Sequence, residues 1–121
     1  MAHPAVLIVD DDPLQLALCR IALRSLPCMI ATVESGEEAL HILRQSPPEL
    51  VILDLLMPRI SGLEILRAIR ADSKLTTMKV VVFTAVPNLL GQLDAALCNM
   101  VLVKPFNIQQ LTQVVENFLD T

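Results

Sequence analysis

Tryptophan and tyrosine are absent from this 121-residue chain, and it holds only three phenylalanines. With 54% of its residues apolar, its core has to be aliphatic. The nine Lys and Arg form no basic stripe, so direct nucleic-acid binding is not expected. Cysteine is scarce as well: Cys19, Cys28 and Cys98 are an odd number without CxxC spacing. That argues against a disulfide framework or a zinc site and for buried free thiols in a reducing compartment. No apolar stretch reaches membrane-spanning length, and the N-terminus has no signal-peptide profile. The expectation is one cytoplasmic domain spanning residues 1–121 with no membrane contact, long enough to bury a real core.

What the chain does have is a set of short aliphatic runs that each stop at a residue able to handle a phosphate or a metal. Val6–Val9 runs into Asp10, Asp11 and Asp12; Leu50–Leu53 runs into Asp54; Val80–Phe83 runs into Thr84; Val101–Val103 runs into Lys104 and Pro105. Continuous Val/Ile/Leu runs read as strands buried on both faces, the pattern of a parallel sheet. Ligand crevices of such sheets lie outside the carboxyl ends of the strands. The acids, the hydroxyl and the ammonium are therefore expected to meet at one edge.

Helical period fills the intervals. Asp12 caps a helix that has Pro13 at its first position and runs to about Leu26, where Pro27 closes it. Met29–Val33 forms a second strand. Ser35–Glu38 and Ser61–Glu64 read as capping boxes, and Asn107 starts the last helix. Asn88 is expected to cap a short helix through Leu97, weakened by Gly91 in its first turn. Leu89, Leu90 and Leu93 on that helix are assigned to core packing, and Met57, Met78 and Met100 to core filling or turns. His3 falls in a loose terminus and His41 on the polar side of a helix, neither with a partner set for metal or acid–base work. Strand alternates with helix throughout, which argues for a doubly wound α/β domain.

Val9-Asp10-Asp11-Asp12-Pro13, Leu53-Asp54-Leu55-Leu56-Met57-Pro58, Phe83-Thr84-Ala85 and Val103-Lys104-Pro105-Phe106, in that order, resemble the receiver domain of two-component response regulators, from Ala5 to Leu119. The resemblance implies a flavodoxin-like, five-stranded parallel sheet of order 2-1-3-4-5 with helices on both faces. It implies Asp54 as phosphoacceptor for a histidine kinase or histidine phosphotransfer protein. Magnesium (Mg2+) would be held by Asp10, Asp11, Asp54 and the main-chain oxygen of Leu56. Lys104 would bind a phosphoryl oxygen, Thr84 would carry the signal outward, and the Lys104–Pro105 bond would be cis. The output face would be the last two helices, the last strand and the loop after Thr84. It would serve a downstream protein or output domain, or a homodimer. Such a domain is a signalling module, without turnover of an external substrate.

Five features depart from that pattern. Val101 stands where the family usually places an aromatic, so a large ring swing is excluded. Leu97-Cys98-Asn99-Met100 replaces the usual Gly-Ala stretch, and Thr84 to Lys104 is about two residues shorter than expected, so the fourth helix should be shortened or distorted. Pro87 stiffens the loop after Thr84. Leu56 and Val86 flank the site with side chains that cannot orient a water, which predicts a long-lived acyl phosphate.

Two other functions compete with phosphate acceptance. A receiver-like scaffold that docks a partner without phosphate is favoured by Val101, Pro87 and the odd fourth helix. A magnesium-dependent aspartyl phosphohydrolase would need a second aspartate two residues past its nucleophile. Leu56 stands there instead.

Overall fold

The computed structural model describes residues 4–119; His3 lies outside them. Five parallel strands, β1 (Val6–Val9), β2 (Ile30–Val33), β3 (Leu50–Asp54), β4 (Lys79–Thr84) and β5 (Met100–Val103), form one sheet of order β2-β1-β3-β4-β5. The flavodoxin-like architecture expected from the resemblance is present. Helices α1 (Pro13–Leu23) and α5 (Ile108–Phe118) pack on one face, and α2 (Gly36–Gln45) and α3 (Gly62–Ala71) on the other. The strand period of two divides the core. Val6, Ile8, Leu50, Ile52, Val81 and Phe83 face α1 and α5, while Leu7, Val9, Val51, Leu53, Val80 and Val82 face α2 and α3.

Complete burial holds for β1 and β3. The expectation of burial on both faces fails for β5, where Val103 is 48% exposed and only Leu102 is buried. An edge strand has a neighbour on one side only, and here its outer face is left partly uncovered. Helix starts follow their caps. Asp12 accepts from the Leu14 amide, and full capping boxes form at Ser61–Glu64 and Asn107–Gln110. At Ser35 the hydroxyl caps the Glu38 amide, but the Glu38 carboxylate meets that same hydroxyl rather than the Ser35 amide.

Several boundaries differ from the sequence reading. α1 ends at Leu23, three residues before Leu26, because Pro27 disfavours helical backbone in the residue preceding it and a turn closes instead from Leu26 N–H to the Leu23 carbonyl. β2 begins at Ile30, leaving Met29 exposed outside it. Only Cys19 is buried; Cys28 and Cys98 are half-buried.

The fourth helix departs most. Asn88 caps nothing: Pro87–Leu89 is a single 3-10 turn, and α4 (Gln92–Ala95) starts only after Gly91, which has no side chain to cap with. No residue of α4 is buried. Leu89 and Leu93 are exposed, Leu93 to 88%, so their assignment to the core was wrong. Four residues make barely one turn and cannot present an apolar face to the sheet; Leu90, Leu97 and Cys98, flanking it, supply what packing there is. Among the described residues no helix is long and apolar enough to cross a membrane.

Candidate functional site

The register places the chemistry. Val9 pairs with Leu53 and Asp54 with Phe83, so Asp10 and Asp54 occupy adjacent positions one step past β1 and at the end of β3. They share the parity of Ile8 and Ile52, and therefore lie towards the α1/α5 face. Asp10 is fully buried, Asp54 is 6% exposed and Asp11 is exposed. One carboxylate oxygen from each of Asp10, Asp11 and Asp54 lies within 4.8 Å of the others. Asp12 is not part of this group; it is the α1 cap.

Lys104, in the turn after β5, bridges the two buried acids. Its Nζ lies 3.1 Å from Asp10 Oδ2 and 3.6 Å from Asp54 Oδ1. Its backbone N–H donates to the Thr84 carbonyl at 2.9 Å, fixing the turn against the end of β4. The Lys104–Pro105 peptide bond is cis. Thr84 is buried at the end of β4, and its hydroxyl accepts from Val86 N–H at 3.0 Å. Among the described residues it makes no hydrogen bond to Asp54. The sequence-derived set thus comes together as Asp10, Asp11, Asp54 and Lys104, with Thr84 beside it but engaged with its own loop. The Leu56 side chain is exposed, and its N–H donates to Asp54 Oδ1 at 3.4 Å.

Burial pushes the Asp54 carboxyl up to about 6; the Asp10 charge adds to that effect, while the Lys104 ammonium and the Leu56 N–H oppose it. Three acids facing one ammonium leave an excess of negative charge in a confined space. An all-oxygen donor set with that excess suits a hard divalent cation such as magnesium.

Gly62, which sequence reading used only as part of a cap, positions the acceptor. A Cβ there would sit 2.0 Å from the Asp54 carbonyl oxygen, so the start of α3 can lie against the end of β3 only because the residue is glycine. Between them Arg59 adopts a φ of 66°, left-handed for a residue with a side chain. A glycine following a capping serine was the available signal for the first feature; nothing in the sequence marks the second.

An acidic, lysine-bridged crevice lies at the carboxyl edge of this doubly wound, flavodoxin-like α/β domain, and its donor set suits a hard cation. Residues 6–116 match the response regulator receiver domain, and the chain belongs to that family. The family is one of two-component signalling rather than of substrate turnover. The chain is 32% identical over 106 residues to the DNA-binding response regulator MtrA of Mycolicibacterium smegmatis, covering 88% of this chain and 46% of that protein. It therefore spans less than half the length of that relative. Among solved structures it is similar to the response regulator TrrA of Thermotoga maritima in complex with Mg(2+)-BeF (TM-score 0.85, 35% identity, 98% of this chain and 100% of that one). It is also similar to the phosphorylated cyanobacterial phytochrome response regulator RcpA (TM-score 0.82, 32% identity, 98% and 96%).

Proposed function

We propose that this domain accepts a phosphoryl group on Asp54 from a histidine kinase or histidine phosphotransfer protein in the cytoplasm. The observation that carries the reading is the meeting of Asp10, Asp11 and Asp54 within 4.8 Å, with the Lys104 ammonium set between the two buried acids. An Asp54 carboxylate oxygen forms a bond to phosphorus as the phosphorus–nitrogen bond of the donor phosphohistidine breaks, and the imidazole leaves with the electron pair. Positioning and charge stabilisation supply most of the rate in such transfers. Lys104 binds a phosphoryl oxygen as a compact point charge. Asp10, Asp11, Asp54 and the main-chain oxygen of Leu56 would hold magnesium, which would neutralise charge on the transferring group. Thr84 exchanges its contact with Val86 N–H for the phosphoryl group and so passes the event to the loop before α4.

A groove of about 780 Å³ beside Lys104, lined by Leu18 and Ile21 of α1 and by Phe106 and Ile108, supports delivery by a protein. It leaves apolar surface uncovered beside Lys104. The α4–β5–α5 face, where Leu93, Met100 and Val103 are exposed, is the output surface for a downstream protein, an output domain or a second copy.

Incubation with acetyl phosphate and magnesium should add one phosphate to the intact mass of the chain and none to Asp54→Asn. An unmodified parent that still binds magnesium would favour the phosphate-independent scaffold, the reading to which the unburied α4 lends weight. Leu56 is 52% exposed and Val86 40%, both apolar beside the acceptor. The adduct is therefore long-lived, and Leu56→Asn or Leu56→Glu should speed its decay severalfold when followed by mass. An unchanged lifetime would reject the role given to Leu56.

A further inference from the structure

Lys104 follows β5, yet the carboxylates it reaches lie at the ends of β1 and β3. Strands in a sheet stand about 4.8 Å apart, so the side chain has to cross the whole width of β4 to arrive there. What it crosses is Phe83. That residue pairs in register with Asp54 on one side and Leu102 on the other, and it faces the same side of the sheet as both. The Lys104 Nζ lies 4.6 Å from the centre of the Phe83 ring. The ring itself is fully buried and cannot tilt freely, because Phe106 packs against it with ring centres 5.7 Å apart and planes at 50°. Two of the three aromatic side chains in the chain are thus spent on the floor beneath one lysine.

We propose that Phe83 is a positioning residue for Lys104: the face of its ring holds the ammonium over β4 and aims it between Asp10 and Asp54. The physical reason is the quadrupole of the ring, whose negative face attracts a cation most strongly where water is scarce. The lysine side chain is only 22% exposed. A free four-carbon stem has many rotamers, and a fixed ring beneath the terminal charge removes most of the unproductive ones. An aliphatic residue at position 83 would fill the core but offer the charge nothing. The proposal rests on the reading of Lys104 as the group that binds the phosphoryl oxygen.

The test replaces Phe83 by leucine and, separately, by mono-, di- and trifluorophenylalanine, which keep the ring while progressively draining its negative face. Two readouts are followed on the 121-residue chain. The first is the rate of phosphorylation by acetyl phosphate with magnesium. The second is the proton shift of the Lys104 ε-methylene, which a ring face moves upfield of the exposed Lys74 and Lys79. Expected is a roughly threefold to tenfold slower rate in Phe83→Leu, a stepwise decline along the fluorinated series, and loss of the upfield shift in Phe83→Leu. Unfolding temperatures along the fluorinated series should stay together. A rate that falls in Phe83→Leu but is flat across the fluorinated series would reduce the ring to core volume and overturn the proposal. If Lys104→Met phosphorylates like the parent, or the parent takes no phosphate, the reading of Lys104 fails instead. The shift then decides the ring contact alone, its absence in the parent overturning it.

Discussion

β3 and α4 are secured by opposite means. Every residue of β3 is buried, its neighbours β1 and β4 cover both edges, and Gly62 lets α3 lie against its last carbonyl. α4 buries none of its four residues and is held from outside by Arg67 of α3, while Arg70 of α3 ties down the residues that follow it. Arg67 forms a two-pronged pair with Asp94 of α4, at 3.1 and 3.0 Å. Arg70 donates to the carbonyls of Leu97 at 2.7 Å, Thr76 at 2.9 Å and Met78 at 2.7 Å, and to Asn99 Oδ1 at 3.0 Å. Asn99 in turn bonds Val80 through both its backbone and its side chain. The end that would do chemistry is fixed by packing, which is stiff. α4 and the residues after it are pinned by polar contacts that can be exchanged for water.

The comparison can be broken at either end. The largest effect is expected at Gly62→Ala, where the new Cβ would overlap the Asp54 carbonyl. A loss of about 3 kcal/mol in chemical denaturation and a failure to take phosphate should follow together. Arg70→Met strands three carbonyl groups, while Asn99 Oδ1 keeps the Val80 N–H, and should cost about 2 kcal/mol, with exchange protection lost first across 96–100.

Next is a pH effect confined to the β3 end. In cation-free protein the folded Asp54 carboxyl is up at about 6, above its unfolded value of 3.8. The folded state therefore binds more protons in that window, and stability should fall as pH rises from about 4 to about 6, then level off. Asp54→Asn should abolish that slope, as seen in thermal melts with chelator present. The smallest global effect belongs to Arg67→Ala. The melting temperature should hardly move while amide exchange of 92–97 rises. An equal loosening of β3 would show that the two regions are not separately held.

What the sequence revealed follows the same division. Aliphatic runs ending at Asp10, Asp54, Thr84 and Lys104 were legible because a buried parallel strand has one readable pattern and its carboxyl end has one place to be. The fourth helix is short, as its departures from the family pattern led one to expect, but its start at Asn88 and the burial of Leu89 and Leu93 were misread, because those leucines carry apolar spacing without the length to use it. Arg70 was invisible for a different reason: its partners are backbone carbonyls up to 27 residues away, and no local pattern reports such contacts. Phe83 looked like one more strand residue, and only the register puts it under Lys104.

The most direct test of the account is chemical mapping of the modified residue. Borohydride reduction of the acetyl phosphate-treated protein, followed by peptide sequencing in the mass spectrometer, should find homoserine at position 54 and aspartate retained at 10 and 11. Homoserine at either of those positions, or nowhere in the chain, would contradict it.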